Sequence, residues 1–326
     1  TGDPTMVSTF AGYRHTLVAT DFSPPADAAV RQAIWLARQT GGTTVLATAL
    51  PDLRRVVQSA SVRARLDAVY GEGDVLRQEL REPYETRMRR MIADLNAVDL
   101  DVKYEVLLGE PFVELTYTVL AGGHDLVLAG TRGLAGWEQM LVGSTARRLI
   151  RKCPASVWIV KAEHTHPPRT VLATTDFSEV SCRAVSQALW IARQANAEFH
   201  LLHVSDSADL PEDWLVRVGA GSTLQREIDA AGQRRLEEFA AALPLEGMPL
   251  HVHHLSGIPW KEVTSTARAV GADLIALGTV GRSGVHGLLL GNTAEKILSA
   301  CDCCILAVKP ADFVSPLDHS ANTATS

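Results

Sequence analysis

Apolar positions in this chain fall into short runs separated by longer amphipathic stretches, and the alternation is regular. The runs at 17–20, 43–49, 102–108, 126–129 and 156–160 have the length of buried strands. Between them, 24–39, 72–96, 111–121 and 145–152 carry helical spacing. The first of these helices opens on Ser23 with prolines in its first turn, and the last stops before Cys153-Pro154. The same order returns with strands at 171–174, 198–204, 250–254, 274–277 and 304–308. Strand and helix in strict alternation predict parallel sheets with helices on both faces.

The recurrence extends to the letters. Arg14-His-Thr-Leu-Val-Ala-Thr-Asp-Phe-Ser23 returns as Arg169-Thr-Val-Leu-Ala-Thr-Thr-Asp-Phe-Ser178, and Ile34-Trp-Leu-Ala-Arg-Gln39 as Leu189-Trp-Ile-Ala-Arg-Gln194. Asp21 and Asp176 fix the offset. Later, Gly109-Glu-Pro111 answers Gly257-Ile-Pro259, and Val160-Lys161 answers Val308-Lys309, at an offset seven residues shorter. A period this long marks a duplicated domain, since solenoid repeats run to only about 20–50 residues. The chain therefore divides into an N-terminal extension 1–13, part of it reading as a cloning scar before Met6, a first domain 14–162, a polar proline-stiffened linker 163–168, a second domain 169–310 and a tail 311–326. Each domain ends in an apolar strand, 156–160 and 304–308.

Composition narrows the functional classes. A net charge of −6 and the absence of a basic stripe or tail argue against nucleic acid as a partner. No apolar run approaches the roughly 20 residues that span a bilayer, and no signal-peptide layout opens the chain, so the expectation is a cytoplasmic protein without membrane insertion. Five cysteines, three of them at Cys301, Cys303 and Cys304, do not make a disulfide framework, and Cys303 and Cys304 read as the start of a buried strand. His251, His253 and His254 share one strand, but only His251 and His253 share a face, and with no carboxylate or cysteine at matching spacing no metal site is expected. His164 and His166 read as solvated linker residues, and Arg87-Met-Arg-Arg90 and Arg147-Arg148 as solvated helix faces.

The candidate chemistry lies after the fourth strand of each copy. Gly130-Thr-Arg-Gly133 is followed, after nine residues, by Gly143-Ser144-Thr145 at the start of a helix. Glycines let the backbone approach an anion closely, and a helix start offers N–H groups and the positive end of a dipole. Ser144 is placed to cap the helix or to donate a hydroxyl to phosphate. Neither the P-loop string nor G-x-G-x-x-G is present, and no G-x-S-x-G elbow supports a hydrolase.

Gly, two residues, Gly, nine residues, Gly-Ser resembles the ATP-binding signature of the universal stress protein family, and the likeness runs from Arg14 to Pro310 in both copies. Leu149-Ile-Arg-Lys-Cys-Pro154 and Gly278-Thr-Val-Gly-Arg-Ser-Gly284 with Gly291-Asn-Thr-Ala-Glu295 are most similar to the tandem E-type branch of that family. The resemblance implies two flavodoxin-like domains of the adenine-nucleotide α-hydrolase-like kind, each a five-stranded parallel sheet of order 3-2-1-4-5. That topology makes 156–160 and 304–308 edge strands, and pairing the two edges into an intramolecular pseudo-dimer would protect both. It implies ATP, with magnesium as an accompanying ion, held in copy one by Thr20, Asp21, Ala49, Gly130, Arg132, Gly133, Gly143, Ser144 and Thr145. Asp21 and Ala49 would border the adenosine, and the glycines with Ser144 and Thr145 the phosphates. Asp21 is equally suited to a turn or cap.

The weaker counterparts in copy two are Asp176, Val204, Gly278, Gly281, Gly291, Asn292 and Thr293. There Asn292 followed by Glu295 resembles a capping box that would occupy the cradle, which favours copy one as the ATP site. The implied function is a nucleotide-binding stress-response regulator and not a turnover enzyme. An apolar-ligand carrier and a nucleotide-free interaction scaffold are the alternatives, and homodimerisation stays open.

Overall fold

The computed structural model describes residues 9–51, 74–131, 142–206, 223–281 and 290–318. Copy one contains β1 (His15–Ala19), α1 (Pro24–Thr40), β2 (Thr43–Leu50), α2 (Asp74–Asp94), β3 (Val102–Leu108), α3 (Pro111–Gly122), β4 (Leu126–Gly130), α4 (Ser144–Lys152) and β5 (Ser156–Val160). Copy two repeats the order with β6 (Thr170–Thr174), α5 (Glu179–Ala195), β7 (Glu198–Ser205), α6 (Thr223–Ala241), β8 (Leu250–Ser256), α7 (Pro259–Val270), β9 (Leu274–Gly278), α8 (Asn292–Ala300) and β10 (Cys304–Val308).

All ten strands form one sheet in the order β3-β2-β1-β4-β5-β10-β9-β6-β7-β8. Pairing within each copy is parallel, and β5 and β10 meet antiparallel, with Leu306 opposite Trp158. Every residue of these two strands is buried, as strands covered on both faces must be. One layer of the core is made by α1 and α5 with Leu36, Phe199 and Trp158. The other is built around Leu149, Ile275 and Ile297. Cys304 opens β10, and Cys301, Cys303 and Cys304 are all buried. Burial pushes the Cys153 thiol up to about 11 and the Cys304 thiol up to about 12.

The segments outside the two domains are structural. Phe10 and Tyr13, from the N-terminal extension, pack edge-on against Trp190 of copy two at ring distances of 5.8 and 5.6 Å. Gln187 Oε1 accepts from both Tyr13 Oη at 2.6 Å and Ser156 Oγ at 2.9 Å. The linker is likewise docked. Gln32 Nε2 donates to the carbonyls of His164 and His166, and His164 Nδ1 lies 3.5 Å from Asp273 Oδ1. The solvated reading of His164 is thus corrected, because its ring is mostly buried and burial depresses its pKa. In the tail, Ser315 Oγ donates to the carbonyl of Lys152, so the end of copy two covers α4 of copy one.

Candidate functional site

The turn after the first strand is built identically in the two copies. Asp21 Oδ1 accepts from Ser23 N at 3.1 Å and Ser23 Oγ at 2.6 Å; Asp176 Oδ1 accepts from Ser178 N at 3.0 Å and Ser178 Oγ at 2.6 Å. Between them Phe22 and Phe177 both sit at φ +62°, a left-handed conformation that costs a bulky residue free energy. Packing repays it. Phe22 lies under the Arg87 guanidinium at 4.2 Å and Phe177 under Arg235 at 4.4 Å. Arg87 is therefore not the purely solvated residue that its charged surroundings suggest. Ser178 caps α5 by accepting from Ser181 N, whereas α1 begins with Pro24 and Pro25 and takes no side-chain cap from Ser23.

Copy two opens a cavity of about 800 Å³ at the carboxyl ends of β6, β7 and β9. The chain runs from β6 outward to β7 and later returns to β9 on the other side, so this is the topological switch point where open α/β sheets bind ligands. Its floor is apolar, with Leu202, Val204, Val263, Leu277 and Ile297. Asp176 and Asp206 stand in the wall beside Gly278, Gly281 and the first turn of α8. A Cβ on Gly281 would come within 2.9 Å of Asp176 Oδ2, so this glycine keeps the wall open. Beneath the turn, buried His203 bonds the Thr175 carbonyl through Nδ1 at 2.8 Å and lies 4.4 Å from the Phe177 ring.

The glycines do different jobs. A Cβ on Gly130 would lie 2.7 Å from Ala26 N, and one on Gly278 would meet Val180 and Ser181, so both allow the strand end to approach the start of the helix that follows the first strand of its copy, α1 or α5. Gly143 and Gly291 are the N-caps of α4 and α8. Their own N–H groups are spent on the carbonyls of Thr131 and Thr279, which closes the base of each loop. The donors left at the helix start are the amides of the first turn, those of Ser144 and Thr145 in copy one and of Asn292, Thr293 and Ala294 in copy two.

The expected capping box is not formed. α8 starts at Asn292 itself, and its N-cap, Gly291, supplies no side-chain bond. Glu295 instead accepts from Arg151 of copy one at 2.5 Å, and Arg147 donates to Ser299 of copy two at 3.3 Å. Ser144 likewise does not cap α4, because the helix begins one residue before the expected start and Gly143 takes the cap position.

Thr20, Asp21, Ala49, Gly130, Gly143, Ser144 and Thr145 stand in copy one at positions matching the cavity residues Thr175, Asp176, Val204, Gly278, Gly291, Asn292 and Thr293. Arg132 and Gly133 lie outside the described residues. Sequence reasoning missed Asp206, Ser181 and His203. Asp206 follows β7 directly, and a carboxylate just past a strand end was the signal available. His203 acts through a tertiary contact with the Thr175 carbonyl that no local pattern announces, and Ser181 through short-range bonds to Thr175, Asp176 and Ser178.

The universal stress protein family model matches residues 12–161 and 168–309. Universal stress protein E of Escherichia coli K12 is 25% identical over 339 residues, covering 94% of this chain and 98% of that protein. Universal stress protein E of Photorhabdus laumondii is 24% identical over 317 residues, with the same coverage. A solved structure of a universal stress protein from Pseudomonas aeruginosa superposes with a TM-score of 0.63 at 21% identity, covering 98% of this chain and 99% of that one. At that identity it speaks for the fold. With the duplicated sheet, the paired Asp-Phe-Ser turns and a family match over both halves, the chain belongs to the universal stress protein family, as a tandem member similar to the E-type proteins.

Proposed function

We propose that this protein is an adenine-nucleotide-binding stress-response regulator of the cytoplasm, in which occupancy changes conformation or partner choice and turnover is not the purpose. The observation that carries the reading is the copy-two cavity. Its volume falls within the roughly 300–1,000 Å³ of small-molecule sites, and its wall contains the positions that the signature assigns to a nucleotide: Asp176, Val204, Gly278, Gly281, Gly291, Asn292 and Thr293. Asp176 and Val204 border the nucleoside, and the uncapped first turn of α8 receives the phosphates. Asp206 offers a second carboxylate to a ribose hydroxyl or to magnesium.

Copy two is a nucleotide site in this reading and not a degenerate one. The argument against it required Asn292 and Glu295 to cap α8, and Glu295 is engaged by Arg151 instead. Copy one holds nucleotide at Thr20, Asp21, Ala49, Gly130, Arg132, Gly133, Gly143, Ser144 and Thr145. The chain lacks the P-loop lysine, which favours retention of ATP over hydrolysis. A rival reading, an apolar-ligand carrier, draws on the cavity floor of Leu202, Val204, Val263, Leu277 and Ile297.

Calorimetric titration with ATP and magnesium should give two sites per chain, one lost on Gly291→Val and the other on Gly143→Val. A single site unaffected by Gly291→Val would overturn the copy-two assignment. Native mass spectrometry showing a lipid-sized adduct that ATP does not displace would favour the rival.

A further inference from the structure

At the opposite end of β7 from the cavity, histidines from two strands converge with a carboxylate. Side-chain alternation puts Glu198, His200, Leu202 and Val204 on one face of β7. The register of β8 sets His251 beside His200 and His253 beside Leu202 on that same face. One ligand atom each from Glu198, His200 and His251 lies within 4.8 Å of the other two. Glu198 lies at the opposite end of the strand from Val204, and His200 sits two residues, about 7 Å along the strand, before Leu202 of the cavity floor; none of Glu198, His200, His251 and His253 lines the cavity.

We propose that Glu198, His200 and His251 form a three-ligand site for a zinc-class divalent cation, with His253 as the residue that orients His200. The His200 ring is buried, at 7% exposure, and its Nε2 has no hydrogen-bond partner. A buried nitrogen left in this way is unusual enough to need an explanation. Glu198 Oε2 stands 3.8 Å from it, too long for a hydrogen bond. That separation suits two ligands sharing one ion, since tetrahedral zinc with bonds of about 2.0–2.1 Å sets its ligands about 3.3 Å apart.

The other ring nitrogen supports the same reading. His200 Nδ1 is hydrogen-bonded to His253 Nε2 at 2.9 Å. With the proton on Nδ1, His200 donates to His253 and its Nε2 carries a bare lone pair, the arrangement by which a metal-binding imidazole is held. His251 stacks on His200 at 4.6 Å and is exposed with Glu198, so ion and solvent reach the cluster from outside. Two imidazoles and one carboxylate suit a borderline ion and leave a fourth position for water.

Nothing in the fold demands these residues. At the matching positions of copy one, β2 and β3 carry Thr43, Val45, Lys103 and Glu105, and the strands pair in the same way. The cluster escaped the sequence reading because half of it comes from β7, and only the register brings Glu198 and His200 to His251.

The test uses the full chain, free of any affinity tag and stripped by a chelator, titrated with zinc against a chromophoric competitor. One equivalent should bind, at least tenfold more weakly in His251→Ala and in Glu198→Gln. Both residues are exposed, so both variants should fold. Lys103→Ala, the copy-one counterpart of His251, should bind as the parent does. Cobalt(II) should give the visible absorption of a four-coordinate centre in the parent and not in the double variant that combines His251→Ala with Glu198→Gln. No stoichiometric uptake by the parent, or unchanged uptake by the double variant, would overturn the proposal.

Discussion

Lys161 and Cys301 are joined across the seam between the copies: the Lys161 Nζ donates at 2.7 Å to the carbonyl of Cys301, at the end of α8. Lys309 mirrors it by donating to the carbonyl of Ile150 in the last turn of α4. Each copy thus supplies a lysine amino group to the C-terminal end of the other copy's helix, where orphan carbonyls accept it. These lysines follow the strands β5 and β10 that pair, so the seam is closed by backbone bonds in the middle and by side chains on both flanks.

Lys309 makes the seam sensitive to pH. Burial lowers its pKa from 10.5 to about 7. Between those values the unfolded chain holds a proton that the folded chain has given up, so stability rises with pH across this window. The slope is at most about 1.4 kcal/mol per pH unit for one such group. Above about 9 the effect is opposed, because the buried thiols of Cys153 and Cys304 stay protonated while their unfolded counterparts ionise. Urea denaturation between pH about 7 and about 8.5 should therefore show a rising stability that Lys309→Met flattens. An equal slope in parent and variant would show that the lysine is solvated.

Gly12 should be among the least tolerant positions outside the two domains. Its φ is +98°, and a Cβ there would lie 2.7 Å from Cζ2 of Trp190. Gly12→Ala combines a left-handed backbone with a clash against a ring that Phe10 and Tyr13 also hold, and it should lower stability by about 1–3 kcal/mol. The measurement is the denaturation midpoint. Trp190→Ala should remove most of the difference between Gly12 and Gly12→Ala, since the clash then has no partner; additive losses would place the strain elsewhere.

The order of strands and helices was legible because each buried strand is a short apolar run, and nothing in the tertiary structure displaces a run such as 156–160 or 304–308 by more than a residue or two. The duplication was legible because Asp21, Phe22 and Ser23 recur at a fixed offset. Beyond the pairing of 156–160 with 304–308, what two distant segments make together could not be read. Gly143 and Gly291 looked like anion donors, yet their N–H groups close a loop on Thr131 and Thr279. Glu295 looked like half of a capping box, since nothing local reveals that Arg151 of the other copy reaches it. Residues 1–13 and 311–326 looked like appendages, although Phe10, Tyr13 and Ser315 all contact the copy to which they do not belong.

The Asp-Phe-Ser turns allow structure and ligand to be separated in one pair of variants. Asp21 and Asp176 make the same two bonds to the following serine, and each supports a phenylalanine in a strained conformation. Asp21→Ala and Asp176→Ala should therefore cost similar stability, about 1–2 kcal/mol apiece, the range for losing an ionised acceptor that satisfies a turn. Their effects on ligand should differ by copy. If nucleotide occupies the copy-two cavity, Asp176→Ala weakens that site at least tenfold, because Asp176 stands in its wall, and leaves the copy-one site unchanged; Asp21→Ala does the reverse. Asp176→Asn keeps an oxygen that can accept from Ser178 N and Oγ, so it should recover most of the stability. Whether it also recovers affinity distinguishes a carboxylate that only shapes the turn from one whose charge the ligand reads. Calorimetry and denaturation on the same three preparations give both quantities. Equal loss of both nucleotide sites in either single variant would mean that the two copies are coupled through the β5–β10 seam and do not bind independently.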